Sequence, residues 1–472
     1  MRASGQRGSP RRGWYAGDVP GSYWIETLGC PKNQVDSDKI AGSLLADGFE
    51  PADEPGAADV VVVNTCAFIE PARVESIETI LSLSAARRRG ARVVVTGCLA
   101  ARVGRELAEE LPEVDVIADV GVPVKLALSR SRADGTRWLP GGTGRVPSLD
   151  LLEMARRPAG APWAYVKVAE GCDRACGFCA IPGFRGPQRS RPLGAILEEV
   201  DALDVREVVL VSQDLASFGR DRDGRASRDR SDVGIVDLVE AVAGRVDRVR
   251  LLYLYPSSLT DALVDAICAT GVPYFDLSLQ HVSGRLLRRM RRVGAMDRFL
   301  ARIDAIRAKA PDAALRSSFI LGYPGETEED HDELLAFLGL AELDWAGFFA
   351  FSEEPGTYAA TLPDAVPAPL ALERLRECSE IQDEITARRR DALVGQEIEV
   401  LVDAPGVARS HREAPEIDGV VRVPATMPVG ALSIVRVVSS EGPDLLAEPD
   451  SALAGVHEGV EVSAGSAGRV RA

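Results

Sequence analysis

From Tyr23 to Phe351, short runs of β-branched and aromatic residues return at intervals of roughly thirty to forty residues, the length of a strand, a crossover helix and the step to a parallel neighbour. Such a period commits the chain to parallel α/β architecture. The first three runs cover residues 24–28, 59–64 and 92–96, with amphipathic stretches at 74–88 and 101–111. Each run ends on a cysteine. Gly29-Cys30, Asn64-Thr65-Cys66 and Gly97-Cys98 fall just past the strands, with the thiols 36 and 32 residues apart. In an open parallel sheet all carboxyl ends open on one edge, where ligands bind, so Cys30, Cys66 and Cys98 are expected to converge there. The competing assignment is three unrelated buried cysteines, each packing as a small apolar residue.

Six further runs, at 165–169, 207–212, 249–253, 275–279, 315–321 and 347–351, are each trailed by a helical stretch. Six βα units make an open, three-quarter barrel, and the chemistry of parallel barrels lies at the carboxyl ends of their strands. The first of these ends carries Glu170-Gly171-Cys172-Asp173-Arg174-Ala175-Cys176-Gly177-Phe178-Cys179-Ala180-Ile181-Pro182. Three thiols at CxxxCxxC spacing are one short of a closed zinc site or of a four-cysteine electron-transfer cluster. Cys172, Cys176 and Cys179 therefore suggest a four-iron cluster with one iron open to a non-protein ligand. A zinc knuckle is the alternative, but no fourth Cys or His lies within ten residues on either side.

At 472 residues the chain has length for about three domains. With 46% hydrophobic and 27% charged residues it is of ordinary globular composition. No apolar run reaches a membrane span's length, and the Arg-rich start lacks an apolar core, so a cytoplasmic protein without membrane attachment is expected. Eight cysteines are too few for a disulfide scaffold in so long a chain and fit metal ligation in a reducing compartment. A net charge of −16 argues against a surface built throughout to grip nucleic acid, though not against a local basic patch. The domains expected are a disordered tail (1–21), an α/β domain (22–130), a linker (131–160), the barrel (161–393) and a small antiparallel β-barrel (394–465). In that last module β-rich runs at 396–402, 419–423, 432–438 and 444–448 alternate with Gly and Pro. The mixed-charge segment 219–234 reads as an exposed loop, and Cys268 and Cys378 as packing residues.

The CxxxCxxC loop followed by Ile181-Pro182 resembles the radical S-adenosylmethionine enzymes. Thr27-Leu28-Gly29-Cys30-Pro31-Lys32-Asn33-Gln34-Val35-Asp36-Ser37, with Asn64-Thr65-Cys66 and Thr96-Gly97-Cys98, resembles the amino-terminal domain of the methylthiotransferases, and the closing module their TRAM domain. The resemblance runs from about Tyr23 to the end of the chain. It implies two four-iron four-sulfur clusters, on Cys30, Cys66 and Cys98 and on Cys172, Cys176 and Cys179. It also implies S-adenosylmethionine as cofactor and an external electron donor. By the same resemblance Gln213 and Asp214 are expected to contact the ribose or amino group, and Arg316 the carboxylate, of S-adenosylmethionine. Otherwise Gln213 and Asp214 would cap the next helix and Arg316 would form a structural ion pair. His281, at a strand mouth, is a candidate substrate contact, with a hydrogen-bonded structural histidine as the alternative.

Methylthiotransferases of this kind act either on a tRNA base or on an aspartate of small-subunit ribosomal protein S-twelve. Leu279-Gln280-His281-Val282-Ser283, where the tRNA enzymes usually carry Gln-Ser-Gly-Ser, resembles the protein-modifying branch, as does Ala414-Pro415-Glu416-Ile417-Asp418-Gly419. From Gln396 onward twelve acidic residues stand against six arginines, a net −6 and the wrong sign for RNA phosphates. Glu413, Glu416 and Asp418 are thus expected to form an acidic face that docks a basic ribosomal protein rather than tRNA. A non-catalytic iron-sulfur carrier or ribosome-binding factor is the rival from another class, disfavoured because an open iron is a liability in a pure carrier.

Overall fold

The computed structural model describes residues 21–134, 137–141, 150–221 and 233–449. The expected tail, most of the 219–234 loop and the last residues of the third module lie outside them. The chain divides into two units, one up to residue 67 and from 71 to 157, the other of 68–70 and from 158 onward.

In the first unit six parallel strands, β1 (Ser22–Thr27), β2 (Glu50–Pro51), β3 (Val60–Thr65), β4 (Arg92–Gly97), β5 (Val116–Ala118) and β6 (Trp138–Leu139), form a sheet ordered β2-β1-β3-β4-β5-β6. Strand β3 shows why the sheet is covered on both faces. Its Val60 and Val62 join one buried cluster with Ile40 and Leu44 of α1 (Pro31–Ala46) and Ala127 of α4 (Val124–Asp134). Its Val61 and Val63 join another with Ile80 of α2 (Glu70–Ala86) and Leu99 and Leu107 of α3 (Cys98–Glu110). Successive side chains point to opposite faces, so a run of four valines needs a helix layer on each side. The expected linker is partly built into this unit. β6 extends the sheet, the fully buried Lys39 ammonium donates to the carbonyls of Leu152 and Met154, and Asp38 pairs with Arg156 and Arg157. Short strands without strong period and lysine-to-carbonyl contacts leave no pattern in sequence.

In the second unit β7 (Trp163–Lys167) starts the barrel. A two-residue ribbon, β8 (Ala169–Glu170) against β9 (Arg189–Ser190), closes the loop after it, which contains α5 (Ile181–Arg185). Then come α6 (Leu193–Leu203), β10 (Glu207–Val211), α7 (Ile235–Ala243), β11 (Arg248–Leu251), α8 (Asp261–Cys268), β12 (Tyr274–Gln280), α9 (Gly284–Arg289), α10 (Met296–Lys309), β13 (Ala314–Leu321), α11 (Glu328–Ala341) and β14 (Trp345–Ala350). The six barrel strands all pair in parallel, in two sheets, β11-β10-β7 and β12-β13-β14, joined by a parallel bridge between Leu254 and Leu277, while the β8–β9 ribbon is antiparallel. The result is the six-stranded open barrel that the spacing predicts. One large apolar core, including Val208, Leu210, Leu277, Leu315 and Phe337, fills the space between strands and helices.

Helix α12 (Ala368–Asp391) leads into the third module, where β15 (Glu397–Ala404), β16 (Val407–Arg409), β17 (Val421–Arg422), β18 (Leu432–Glu441) and β19 (Asp444–Pro449) close a barrel. Four of its pairings are antiparallel, as expected, and one, β17 with β19, is parallel.

The module is seated on the amino ends of the barrel strands by buried ionic groups. Trp163, Glu207 and Arg248 stand side by side in register at those ends. Arg250 donates to Glu207 at 2.8 Å and to the His411 carbonyl at 2.8 Å, Arg409 reaches Glu207 at 3.1 Å, and Arg390 pairs with Glu413. Tyr165 and Trp345 add hydrogen bonds to the carbonyls of Pro415 and Arg412.

Candidate active site

The sheet order of the first unit places a topological switch point between β1 and β3, where the chain leaves β1 for one side and returns on the other. Open α/β sheets bind ligands at the carboxyl edge of such a point. Cys30 follows β1 as the N-cap of α1, Cys66 follows β3 directly, and Cys98 opens α3 after β4. The three sequence-predicted thiols therefore share one edge.

Asn33 ties their loops together. Fully buried, it donates through Nδ2 to the carbonyls of Leu28 and Thr65, both at 2.9 Å, its N–H bonds the Cys30 carbonyl at 2.8 Å, and its Oδ1 accepts from the Cys98 thiol at 3.5 Å. Asn64 returns the contact by donating to the Asn33 carbonyl and to Ser37 Oγ, each at 2.9 Å. Two glycines make the approach possible. Gly29 (φ +90°) and Gly97 (φ +95°) occupy the left-handed region, and a Cβ on Gly29 would lie 2.7 Å from the Cys66 sulfur, one on Gly97 2.3 Å from Asn64 Oδ1. Neither asparagine carries a role in the sequence reading; the signal was their place inside the two quoted motifs.

In the second unit the CxxxCxxC loop leaves β7 at the carboxyl end of the barrel. Its base is a buried charged cluster: Glu170 takes the Lys167 ammonium at 2.6 Å, Arg185 at 3.2 Å and the Gln213 amide at 2.6 Å. Burial alone would raise the Glu170 carboxyl, but Lys167 and Arg185 hold it well below the usual carboxylate range. The loop is pinned by Cys172 N–H to the Gly186 carbonyl (3.1 Å), Gly177 N–H to the Met290 carbonyl (2.8 Å) and Ala359 N–H to the Gly177 carbonyl (2.8 Å). Two donors address sulfur: the Arg174 N–H lies 3.4 Å from Cys172 Sγ, and Arg292 Nη1 3.3 Å from Cys176 Sγ. Tyr255 lies between the two guanidiniums, its ring 4.0 Å from that of Arg174 and 4.1 Å from that of Arg292.

Burial and the neighbouring thiols push Cys172 up to about 11 and Cys179 up to about 12, so these sulfurs are neutral thiols until a metal replaces their protons. Among the described residues no three thiol, imidazole or carboxylate groups gather around one point as a single metal ion requires. A cluster gives each thiolate its own iron, so its ligands stand apart. The donor set, three thiols with N–H groups aimed at sulfur, fits such a cluster.

Gln213 and Asp214 both reach this loop, Gln213 through Glu170. Asp214 pairs with Arg174 at 2.5 Å and accepts from Ser217 Oγ at 2.7 Å. Ser212 Oγ, Gln213 Oε1 and Asp214 Oδ1 are buried without a partner among the described residues. An unpaired buried acceptor costs about 1–3 kcal/mol. Three together fit a ligand that brings hydroxyl and ammonium donors, as S-adenosylmethionine does.

Four expectations are corrected. Arg316 is the third residue of β13, at the amino end, and is held by Asp276 (2.9 Å) and Asp418 (3.3 Å), away from the mouth. The arginines that do stand by the thiols are Arg174 and Arg292. Glu413 is fully buried against Arg390 and Ser410, and the Asp418 carboxylate is enclosed by Arg316 and Tyr274 (2.6 Å), so neither forms an acidic docking face. Glu416 alone of that trio is exposed. His281 has no exposed surface; its Nδ1 accepts from the Ser283 N–H at 3.1 Å, and burial pushes its imidazole down to about 3, leaving it neutral. That hydrogen bond is the structural role given as the alternative.

Three family models match the chain: Uncharacterized protein family UPF0004 over residues 22–119, Radical SAM superfamily over 166–338 and TRAM domain over 394–449. A protein of Saccharopolyspora erythraea named ribosomal protein uS12 methylthiotransferase RimO is 40% identical over 90% of this chain and 94% of its own length. One of the same name from Moorella thermoacetica is 41% identical over 88% of this chain and 95% of its own. Among solved structures, the radical S-adenosylmethionine methyltransferase TsrM from Kitasatospora setae, with cobalamin and a [4Fe-4S] cluster bound, shares the fold. Its TM-score is 0.51 at 13% identity, over 72% of this chain and 73% of that one. No helix among the described residues is long and apolar enough to cross a membrane. With all three domains in this order and such identity over nearly the whole length, the chain belongs to the RimO family of methylthiotransferases within the radical SAM superfamily.

Proposed function

We propose that this chain transfers a methylthio group to Cβ of an aspartate of small-subunit ribosomal protein uS12, using two four-iron four-sulfur clusters, S-adenosylmethionine and an external electron donor. The observation that carries the reading is the pairing of two three-thiol sets, each at the carboxyl edge of a parallel sheet. The names of the relatives support the substrate.

A cluster with an open iron supplies, with S-adenosylmethionine, the one-electron chemistry that an unactivated C–H bond demands and no ionisable side chain provides. Cys172, Cys176 and Cys179 would hold the radical-generating cluster, with Arg174 N–H and Arg292 favouring the thiolate form. Ser212, Gln213 and Asp214 would receive the hydroxyl and ammonium donors of the cofactor. Cys30, Cys66 and Cys98 would hold the sulfur-delivering cluster, their loops kept in place by Asn33. A protein substrate is favoured over tRNA by Leu279-Gln280-His281-Val282-Ser283 and by the third module's net −6, now without help from Glu413 and Asp418.

The test is to reconstitute and reduce the protein, supply S-adenosylmethionine with uS12 or with tRNA, and read both substrates by mass spectrometry. Formation of 5′-deoxyadenosine and a methylthio adduct on one uS12 aspartate is expected. Modification of tRNA with none of uS12 overturns the substrate, and no 5′-deoxyadenosine overturns the radical assignment.

A further inference from the structure

The barrel mouth carries a charge opposite to that of the protein as a whole. Between Gly284 and Arg302 there are seven arginines and one acidic residue, Asp297, in a chain of net charge −16. Four of the arginines are engaged: Arg285 with Asp330, Arg289 with Asp364, Arg292 with Cys176 and the Ser278 carbonyl, and Arg302 with Asp261. The other three, Arg288, Arg291 and Arg298, are exposed and have no carboxylate partner among the described residues.

Two contacts place Arg291. Met290, next to Arg291, accepts the Gly177 N–H of the CxxxCxxC loop at 2.8 Å, and the Arg291 guanidinium stacks 3.8 Å above the Tyr358 ring. Arg298 borders a recess of about 240 Å³ whose lining includes Ser257, Leu277, Leu279 and Val293. Val293, between the arginines, is 63% exposed. Free guanidiniums, one already laid on an aromatic ring, beside an apolar recess are the features that bind phosphates and receive an unstacked base.

We propose that this arginine rim binds RNA phosphates, so that the enzyme takes its ribosomal protein as an RNA-bound complex rather than free. The inference rests on the proposed protein substrate. Ribosomal proteins are basic, and three unpaired arginines at the mouth would repel one that arrived alone. RNA beside the target aspartate would reverse that sign.

The holoenzyme and its Arg288→Glu/Arg298→Glu variant test it, since neither side chain touches the thiols. Three quantities are measured: affinity for a short single-stranded RNA against salt, methylthiolation of free uS12, and methylthiolation of uS12 in the small subunit. The variant is expected to bind RNA at least tenfold more weakly, with the slope of log affinity against log salt reduced by roughly 0.7 per arginine. It should lose a similar factor on the subunit and none on free uS12. Unchanged RNA affinity, unchanged turnover on the subunit, or binding of polyglutamate in preference to RNA overturns the proposal. If the wild type modifies uS12 in neither state yet the variant loses RNA binding, the substrate assignment falls and the RNA surface stands.

Discussion

At the amino ends of the barrel strands, Glu207, Asp403, Glu413 and Asp418 are each met by an arginine inside the protein, whereas at the carboxyl ends Arg288, Arg291 and Arg298 meet no carboxylate among the described residues. The same residue types serve opposite ends. At the amino ends they are desolvated and paired, which seats the third module in one position. At the mouth, Ser212, Gln213 and Asp214 each bury an oxygen without a partner among the described residues, and three arginines stand exposed without a carboxylate. Barrels separate stability from chemistry in this way because loops at the carboxyl ends can vary without disturbing the packed strands.

The largest expected effect is at the thiols. Changing Cys172, Cys176 or Cys179 to Ala should abolish 5′-deoxyadenosine formation while about half the iron remains, because separate domains hold separate sites. Changing Cys30, Cys66 and Cys98 together should leave 5′-deoxyadenosine formation and remove methylthiolation. Iron analysis with product chromatography reads both, and loss of 5′-deoxyadenosine formation in the Cys30, Cys66 and Cys98 variant would dissolve the distinction between the two sites.

Next is the seam. Glu413→Ala strands Arg390, whose side chain is 3% exposed, and breaking such a buried pair costs about 3–5 kcal/mol. The urea midpoint should fall accordingly, and an apolar pair at both positions should recover most of the loss. A Glu413→Ala protein of unchanged stability that no longer modifies uS12 would return Glu413 to a docking role.

Asp214→Asn should raise KM for S-adenosylmethionine about tenfold, the effect of roughly 1.4 kcal/mol. An unchanged KM would make Asp214 merely the partner of Arg174.

The seam also predicts a pH limb. Against burial, which would raise it, Arg390 and Ser410 hold the Glu413 carboxyl down to about 2 from an ordinary 4.5. A depressed carboxyl stabilises the fold fully above the unfolded value, so this share is present above about 4.5 and fades as the pH falls toward 2. Glu413→Gln should flatten that limb of the denaturation midpoint against pH. The smallest effect belongs to the exposed pair Arg376 and Glu380 on α12, where Arg376→Ala should change stability by no more than about 0.5 kcal/mol.

What could be read from the amino acids alone was periodic or locally spaced. The nine strand-sized runs, the cysteine after each of the first three, the CxxxCxxC loop and the closing barrel were all legible, because strand-helix repeats and ligand loops are properties of neighbours in sequence. Tertiary structure decided the partners of charged residues. Arg316 looked like a cofactor ligand and Glu413 and Asp418 like a surface, yet Arg316 and Asp418 neutralise each other across 102 residues and Glu413 meets Arg390 across 23. A charge in sequence has sign but no direction. Only the packing of the third module against the amino ends of the strands determined which charges are buried as pairs and which remain open at the mouth.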